Sequence, residues 1–170
     1  RKTYQRRRFQ KYQEIYCESK YKNPEVAPTS DIFTFRSTLP SGRSIQPEIV
    51  PYIQCYPVLK YDQIGAYTER VWPGQKFKPT GLLEPNDKNF VIYPSKYISE
   101  LGGFSNAGLE TANVSSGAKL LKVDFSNNPN LPAANADSIS FGASNALLEE
   151  INVSKTLAKS VDLTALKNLK

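Results

Sequence analysis

Ten of the twelve prolines fall in one stretch, residues 23–99, at Pro24, Pro28, Pro40, Pro47, Pro51, Pro57, Pro73, Pro79, Pro85 and Pro94. Each lacks a backbone N–H and holds the residue before it extended, so a long helix is forbidden there and a central strand would be interrupted. The stretch is also aromatic, with Tyr52, Tyr56, Tyr61, Tyr67, Trp72, Phe77, Phe90, Tyr93 and Tyr97. Large rings seek burial. A proline-punctuated backbone gives them few partners of its own, so the expectation is an extended segment whose rings pack on another protein. Short strands are expected only over 32–36, 52–56 and 90–93.

The flanks differ from this middle. All ten tyrosines precede residue 98, after which Ala, Ser, Asn, Leu and Gly take over, with Gly102-Gly103 at the seam. Ser144 is placed to cap a short helix over Ala146–Ile151, and Ser154 a second one whose Leu157, Val161, Ala165 and Leu169 follow i, i+4 spacing. The proline-free segment from Tyr4 to Lys22 is a third helix candidate, with Tyr12 and Tyr16 on one face. No internal repeat is evident. The fold class expected is a mostly irregular, extended, non-compact linker with a few short α-helices at its N- and C-terminal ends and little β. Its three parts are a basic aromatic arm over 1–22, a Pro/Tyr-rich extended segment over 23–99, and an Ala/Ser/Asn/Leu-rich segment with short helices over 100–170.

The formal charge of +6 belongs to the arm alone, where eight basic residues face Glu14 and Glu18 while the remaining 148 residues balance. A concentrated basic arm is drawn to a polyanionic surface. The cluster Arg6-Arg7-Arg8, followed by Phe9 and Tyr12, has the charge and rings that phosphate contacts and base stacking use, but the plainer reading is a solvated arm that orders only against an acidic protein surface, if against any partner. The chain has no His, which removes Ser-His-Asp and Cys-His nucleophile pairs and imidazole metal sites. Two cysteines cannot build a thiolate metal centre or a disulfide framework. No run approaches the roughly 18 apolar residues of a membrane span, so a soluble or peripheral protein is expected. A chain that starts at Arg1 and holds no Met is expected to be processed or to begin inside a longer polypeptide.

Several short motifs have bland explanations. Ser116-Gly117-Ala118-Lys119 spells the S-x-x-K of penicillin-interacting serine enzymes, without the S-D-N and K-T-G elements that accompany it. Asn113-Val114-Ser115 and Asn152-Val153-Ser154 are sequons by pattern, at a number that twelve asparagines produce by chance. Glu149-Glu150 reads as a solvated face rather than an acid/base pair. Cys17 and Cys55 lie among tyrosines, in Tyr16-Cys17-Glu18 and Gln54-Cys55-Tyr56, and three readings stand open for them: separate reduced thiols, a mutual disulfide, or attachment points for a prosthetic group.

The segments Tyr12-Gln13-Glu14-Ile15-Tyr16-Cys17 and Tyr52-Ile53-Gln54-Cys55-Tyr56, together with the basic arm and the missing catalytic equipment, resemble the linker proteins of phycobilisomes, red-algal phycoerythrin gamma subunits in particular. The resemblance implies a non-enzymatic structural linker of photosynthetic light harvesting, at the stromal face of the thylakoid membrane in a chloroplast. It would thread acidic phycobiliprotein hexamers without a small-molecule substrate. Arg6, Arg7, Arg8, Tyr12 and Tyr16 would face the partner. Cys17 and Cys55 would each hold a bilin, phycoerythrobilin or phycourobilin, through a thioether. Two alternatives belong to other classes: a basic, arm-bearing, RNA-binding protein of an organellar ribosome, and a small carboxylate-dependent enzyme.

Overall fold

Phe33, Phe35 and Ser37 alternate with Thr34 and Arg36, and a two-residue period of this kind makes a strand with one buried face. Strand β1, Phe33–Ser37, accordingly hides Phe33, Phe35 and Ser37. The computed structural model describes residues 30–38, 47–52, 58–61, 64–68, 88–132, 139–158, 166 and 168–170. In these residues nine further strands follow: β2 (Glu48–Pro51), β3 (Val58–Tyr61), β4 (Ile64–Thr68), β5 (Lys88–Tyr93), β6 (Ile98–Gly102), β7 (Leu109–Asn113), β8 (Lys122–Asp124), β9 (Ile139–Ser140) and β10 (Glu150–Asn152). They form a six-stranded sheet in the order β4-β3-β5-β1-β7-β9 and a four-stranded sheet in the order β10-β8-β6-β2. The first is antiparallel except for β7 and β9. In the second, β6, β8 and β10 run parallel and β2 is antiparallel to β6.

One core joins the two sheets. Phe33, Phe35, Phe90, Ile92, Leu109 and Ala112 come from the first sheet, and Ile49, Ile98, Leu101 and Val123 from the second. Phe35 stacks on Phe90 at 4.9 Å between ring centroids and on Phe104 at 5.2 Å, while Phe104 lies 5.8 Å from Phe125. Each fully buried Phe contributes roughly 1.5–3 kcal/mol of hydrophobic stabilisation.

This architecture corrects the expectation of an irregular, non-compact chain with helical ends and little β. The three described prolines of the 23–99 stretch punctuate strands instead of preventing them. Pro47 directly precedes β2, Pro51 closes it with a register shift at Val50/Pro51, and Pro94 directly follows β5. β2 lies at the end of its sheet order, where a missing N–H is tolerated. The rings expected to pack on another protein include members of this chain's own interior. Phe90 is buried in the core, and Tyr93 is so buried that its hydroxyl is pushed up to about 12 from the ordinary 10.0. Tyr52, half exposed, is an exception. The strands expected over 32–36 and 90–93 lie in β1 and β5. Of the third, over 52–56, only Tyr52 is described, just beyond β2.

The C-terminal region is a stack of coils. Leu121 N–H donates to Ser99 O at 2.7 Å, Glu149 N–H to Leu121 O at 2.8 Å, and Lys170 N–H to Glu149 O at 2.9 Å. The chain thus returns to one line at residues 99, 121, 149 and 170, after turns of 22, 28 and 21 residues. Each coil then turns through a left-handed residue: Asn106 (φ 57°), Asn127 (φ 59°) and Lys155 (φ 54°). Leu120-x-x-Val123-x-Phe125-x-x-Asn128 has the spacing of a leucine-rich solenoid coil, whose apolar residues point inward and whose asparagine serves the turn. The path of the chain therefore recurs, with coils of unequal length.

The helix expectations fail where the structure describes them; the segment Tyr4–Lys22 and residues 159–165 lie outside the described residues. The segment 146–151 holds a turn after a short 3₁₀ element at Ala143–Asn145, and Ile151 belongs to β10. Ser154 and Lys155 form a turn, Thr156 bridges to Asn128, and Leu157 is exposed. Among the described residues the only helical elements are two 3₁₀ turns, at Ser95–Tyr97 and Ala143–Asn145.

Candidate binding face

The pleat of the four-stranded sheet sorts its side chains into two faces. Ile49, Leu101, Val123 and Ile151 stand side by side and point to the core. On the opposite face Val50, Glu100, Lys122 and Glu150 form one row across the strands. Glu48 and Gly102 are neighbours in the next row, as are Asp124 and Asn152.

Lys122 lies between two carboxylates, its Nζ 3.8 Å from Glu100 Oε1 and 3.7 Å from Glu150 Oε1. The ammonium is about half exposed, so these pairs contribute little to stability and chiefly set an alternating charge pattern. At the sheet's end Lys170 Nζ reaches Glu149 Oε2 at 3.1 Å. Asp124 accepts the Ser126 N–H at 2.9 Å through Oδ1.

Gly102 has no side chain to fill its place in the second row, and Gly103 turns the chain away at φ 76°. The result is a concave recess of about 560 Å³, bordered by Glu48, Glu100, Lys122, Asp124, Glu150 and Asn152, with Lys170 at one side. A Cβ added at Gly102 would meet Asp124 Cβ at 3.6 Å, an ordinary van der Waals contact, so a side chain is tolerated there. The lining offers charge and hydrogen bonding to a long polar ligand. Glu100 and Glu150 both face Lys122 across this row.

A second recess of about 250 Å³ is lined by Ser30, Asp31, Ile32, Thr34, Asn113, Ser115 and Ser116. Its polar groups serve the fold. Ser116 Oγ donates to Ile32 O at 2.6 Å and lies 2.8 Å from Ser95 Oγ, and Asp31 pairs with Lys96 at 3.3 Å. The S-x-x-K spacing carries no chemistry here, because Lys119 Nζ sits 5.0 Å over the Tyr52 ring. Both sequon asparagines are exposed and close local turns: Asn113 Oδ1 accepts from Ser115 N–H and Oγ–H at 3.0 and 2.7 Å, and Asn152 Oδ1 from Ser154 N–H at 3.1 Å.

The residues singled out from sequence, Arg6, Arg7, Arg8, Tyr12, Tyr16, Cys17 and Cys55, lie outside the described residues. The sheet face is assembled instead from residues given no site role in sequence, Gly102, Glu150 and Asn152 among them having been noted only as part of a seam, a solvated face and a sequon. Its one signal in sequence was the charged residues two apart in Lys122-x-Asp124 and the charged–polar pair in Glu150-x-Asn152, each flanking an aliphatic residue. No helix among the described residues is long and apolar enough to cross a membrane. No family model, no curated protein and no solved structure matches this chain.

Proposed function

We propose that the protein is a non-enzymatic binding module that holds an extended polypeptide across the outer face of its four-stranded sheet. One observation carries this reading: the in-register row Glu100–Lys122–Glu150 beside the side-chain gap at Gly102, which makes a long polar trough on a rigid scaffold. Stacked coils are suited to such surfaces, since each adds a strand to a continuous concave face. The basic arm is a second attachment, with Arg6, Arg7 and Arg8 on an acidic partner surface. The likeness to phycobilisome linkers drew on an extended, threading chain. With that form corrected, the geometry supports a folded adaptor in its place.

The test fills the trough. Gly102→Lys places a long cationic side chain in the gap, where the backbone accepts a Cβ without strain. The full chain and the variant, matched for thermal stability, are probed with an array of short peptides graded in net charge. Array members are expected to bind the full chain and to lose that binding at least tenfold in the variant. An array that binds neither protein, or both equally, overturns the reading.

A further inference from the structure

We propose that the outer edge of β10 is an acceptor for one further strand, laid parallel to it and supplied by an extended segment of a partner protein that carries a polar, an aliphatic and a polar residue in succession. This site is separate from the trough, since it lies at the end of the coil stack and not on its face. The coil pattern carries the argument. The rung residues Ser99, Leu121, Glu149 and Lys170 are each preceded by an apolar residue, Ile98, Leu120, Leu148 and Leu169, and the first three are followed two positions later by Leu101, Val123 and Ile151. Within the stack these positions are closed: Leu101 and Val123 are 2% and 3% exposed, and Leu120 and Leu148 are fully buried. At its end they are open, for Ile151 and Leu169 are only partly buried. Leu101 and Val123 each have a strand on both sides, whereas β10 closes its sheet order among the described residues. A further strand with an aliphatic residue beside Ile151 would complete the pattern.

The backbone is aimed for this. Glu150 N–H donates to Leu121 O at 3.1 Å and Asn152 O accepts the Phe125 N–H at 2.9 Å, both toward β8. The two-residue alternation of a strand sends the N–H and C=O of Ile151 the other way. Lys170, whose N–H donates to Glu149 O, already holds the first rung on that side and sets the added strand parallel. Main-chain bonds to such an edge give affinity, and the alternate side chains give specificity. A second copy of the chain does not fit. β2, at the opposite end of the sheet, has Ile49 fully buried and Val50 7% exposed, and Pro51 there has no N–H to donate. Two copies of β10 related by a two-fold axis would pair antiparallel, and with Ile151 opposite Ile151 the second copy's Val153 would need the place that Lys170 holds.

Amide hydrogen exchange at Ile151, read by NMR on the full chain, tests this. The probe is a peptide copying Lys122–Asn128, acetylated and amidated, whose valine would stand beside Ile151. Free at about 1 mM it is expected to slow exchange at Ile151 roughly threefold, and joined directly after Lys170 roughly tenfold or more, because the tether raises its effective concentration. The same peptide with its valine replaced by Asp should protect nothing. Gly102→Lys should leave the protection intact, and loss of protection in that variant would put the peptide in the trough and overturn the edge site. Ile151 exchanging as slowly as Leu121 in the full chain alone would show the edge already covered and would also overturn it. No protection in either form overturns the proposal outright, and protection in the tethered form alone overturns a separate partner. None of these failures touches the peptide-array test of the trough.

Discussion

Asn128 is fully buried, and its carboxamide is the most heavily used polar group in the described residues. Its Nδ2 lies within hydrogen-bond distance of three carbonyls, Phe104 O at 3.0 Å, Phe125 O at 2.9 Å and Ser126 O at 3.0 Å, and its Oδ1 accepts the Leu109 N–H at 3.2 Å. One side chain thus ties the loop after β6, the start of β7 and the turn after β8. Replacing it removes partners from backbone groups that water cannot reach, at about 1–3 kcal/mol for each group left bare. Asn128→Ala is expected to lower the unfolding free energy by about 3 kcal/mol or more, read from urea denaturation. Thr156 stands opposite Asn128 in the next coil and makes only a local turn, its Oγ1–H donating to Val153 O at 2.7 Å. Thr156→Ala is accordingly expected to cost about 1 kcal/mol, and equal losses at the two positions would contradict the role given to Asn128. In sequence the residue was one of twelve asparagines, and nothing local distinguished it until the coil spacing was seen.

At the scale of elements, the row Glu100–Lys122–Glu150 makes a signed prediction. Lys122→Ala removes two half-exposed pairs and is expected to change stability by less than about 1 kcal/mol, whereas Lys122→Glu sets three like charges side by side and should cost more. The gap between the two variants should narrow in high salt, and a gap indifferent to salt would place the effect elsewhere. The same elements show what could be read in advance. β1 and the heart of β5 were legible, because Phe33-Thr34-Phe35-Arg36 and Phe90-Val91-Ile92-Tyr93 are short apolar or alternating runs. The coils were not, for two reasons. Leu148-x-x-Ile151 has the three-residue step of a helix face, so a turn leading into a strand imitates a helix in sequence. Turns of 22, 28 and 21 residues also share no fixed period, and self-similarity fades when lengths vary this much. The binding face was hidden more deeply, since Glu48, Gly102, Lys122 and Glu150 become neighbours only through strand pairing.

For the whole molecule, a shared core implies a particle far smaller than an extended linker. X-ray scattering is expected to give a radius of gyration well below the roughly 44 Å of an unfolded chain of this length. A value above about 30 Å would contradict the two-sheet core. The first and last described segments are also built into the fold differently, and this matters under load. The N-terminal route enters β1, which is laced to β5 on one side and β7 on the other, so tension there must break two ladders together. The last described residues are held by one backbone rung, Lys170 on Glu149 beside β10, by Leu166 and Leu169 on the core, and by Asn168 Nδ2 donating to Ala146 O. Tension there opens that rung and draws Leu166 and Leu169 from the core, then peels β10 from β8, then β8 from β6. Strung between two anchors, such a chain would lengthen coil by coil from its C-terminal end while the sandwich around β1 held, which makes the stack a yielding spring on a firm mount.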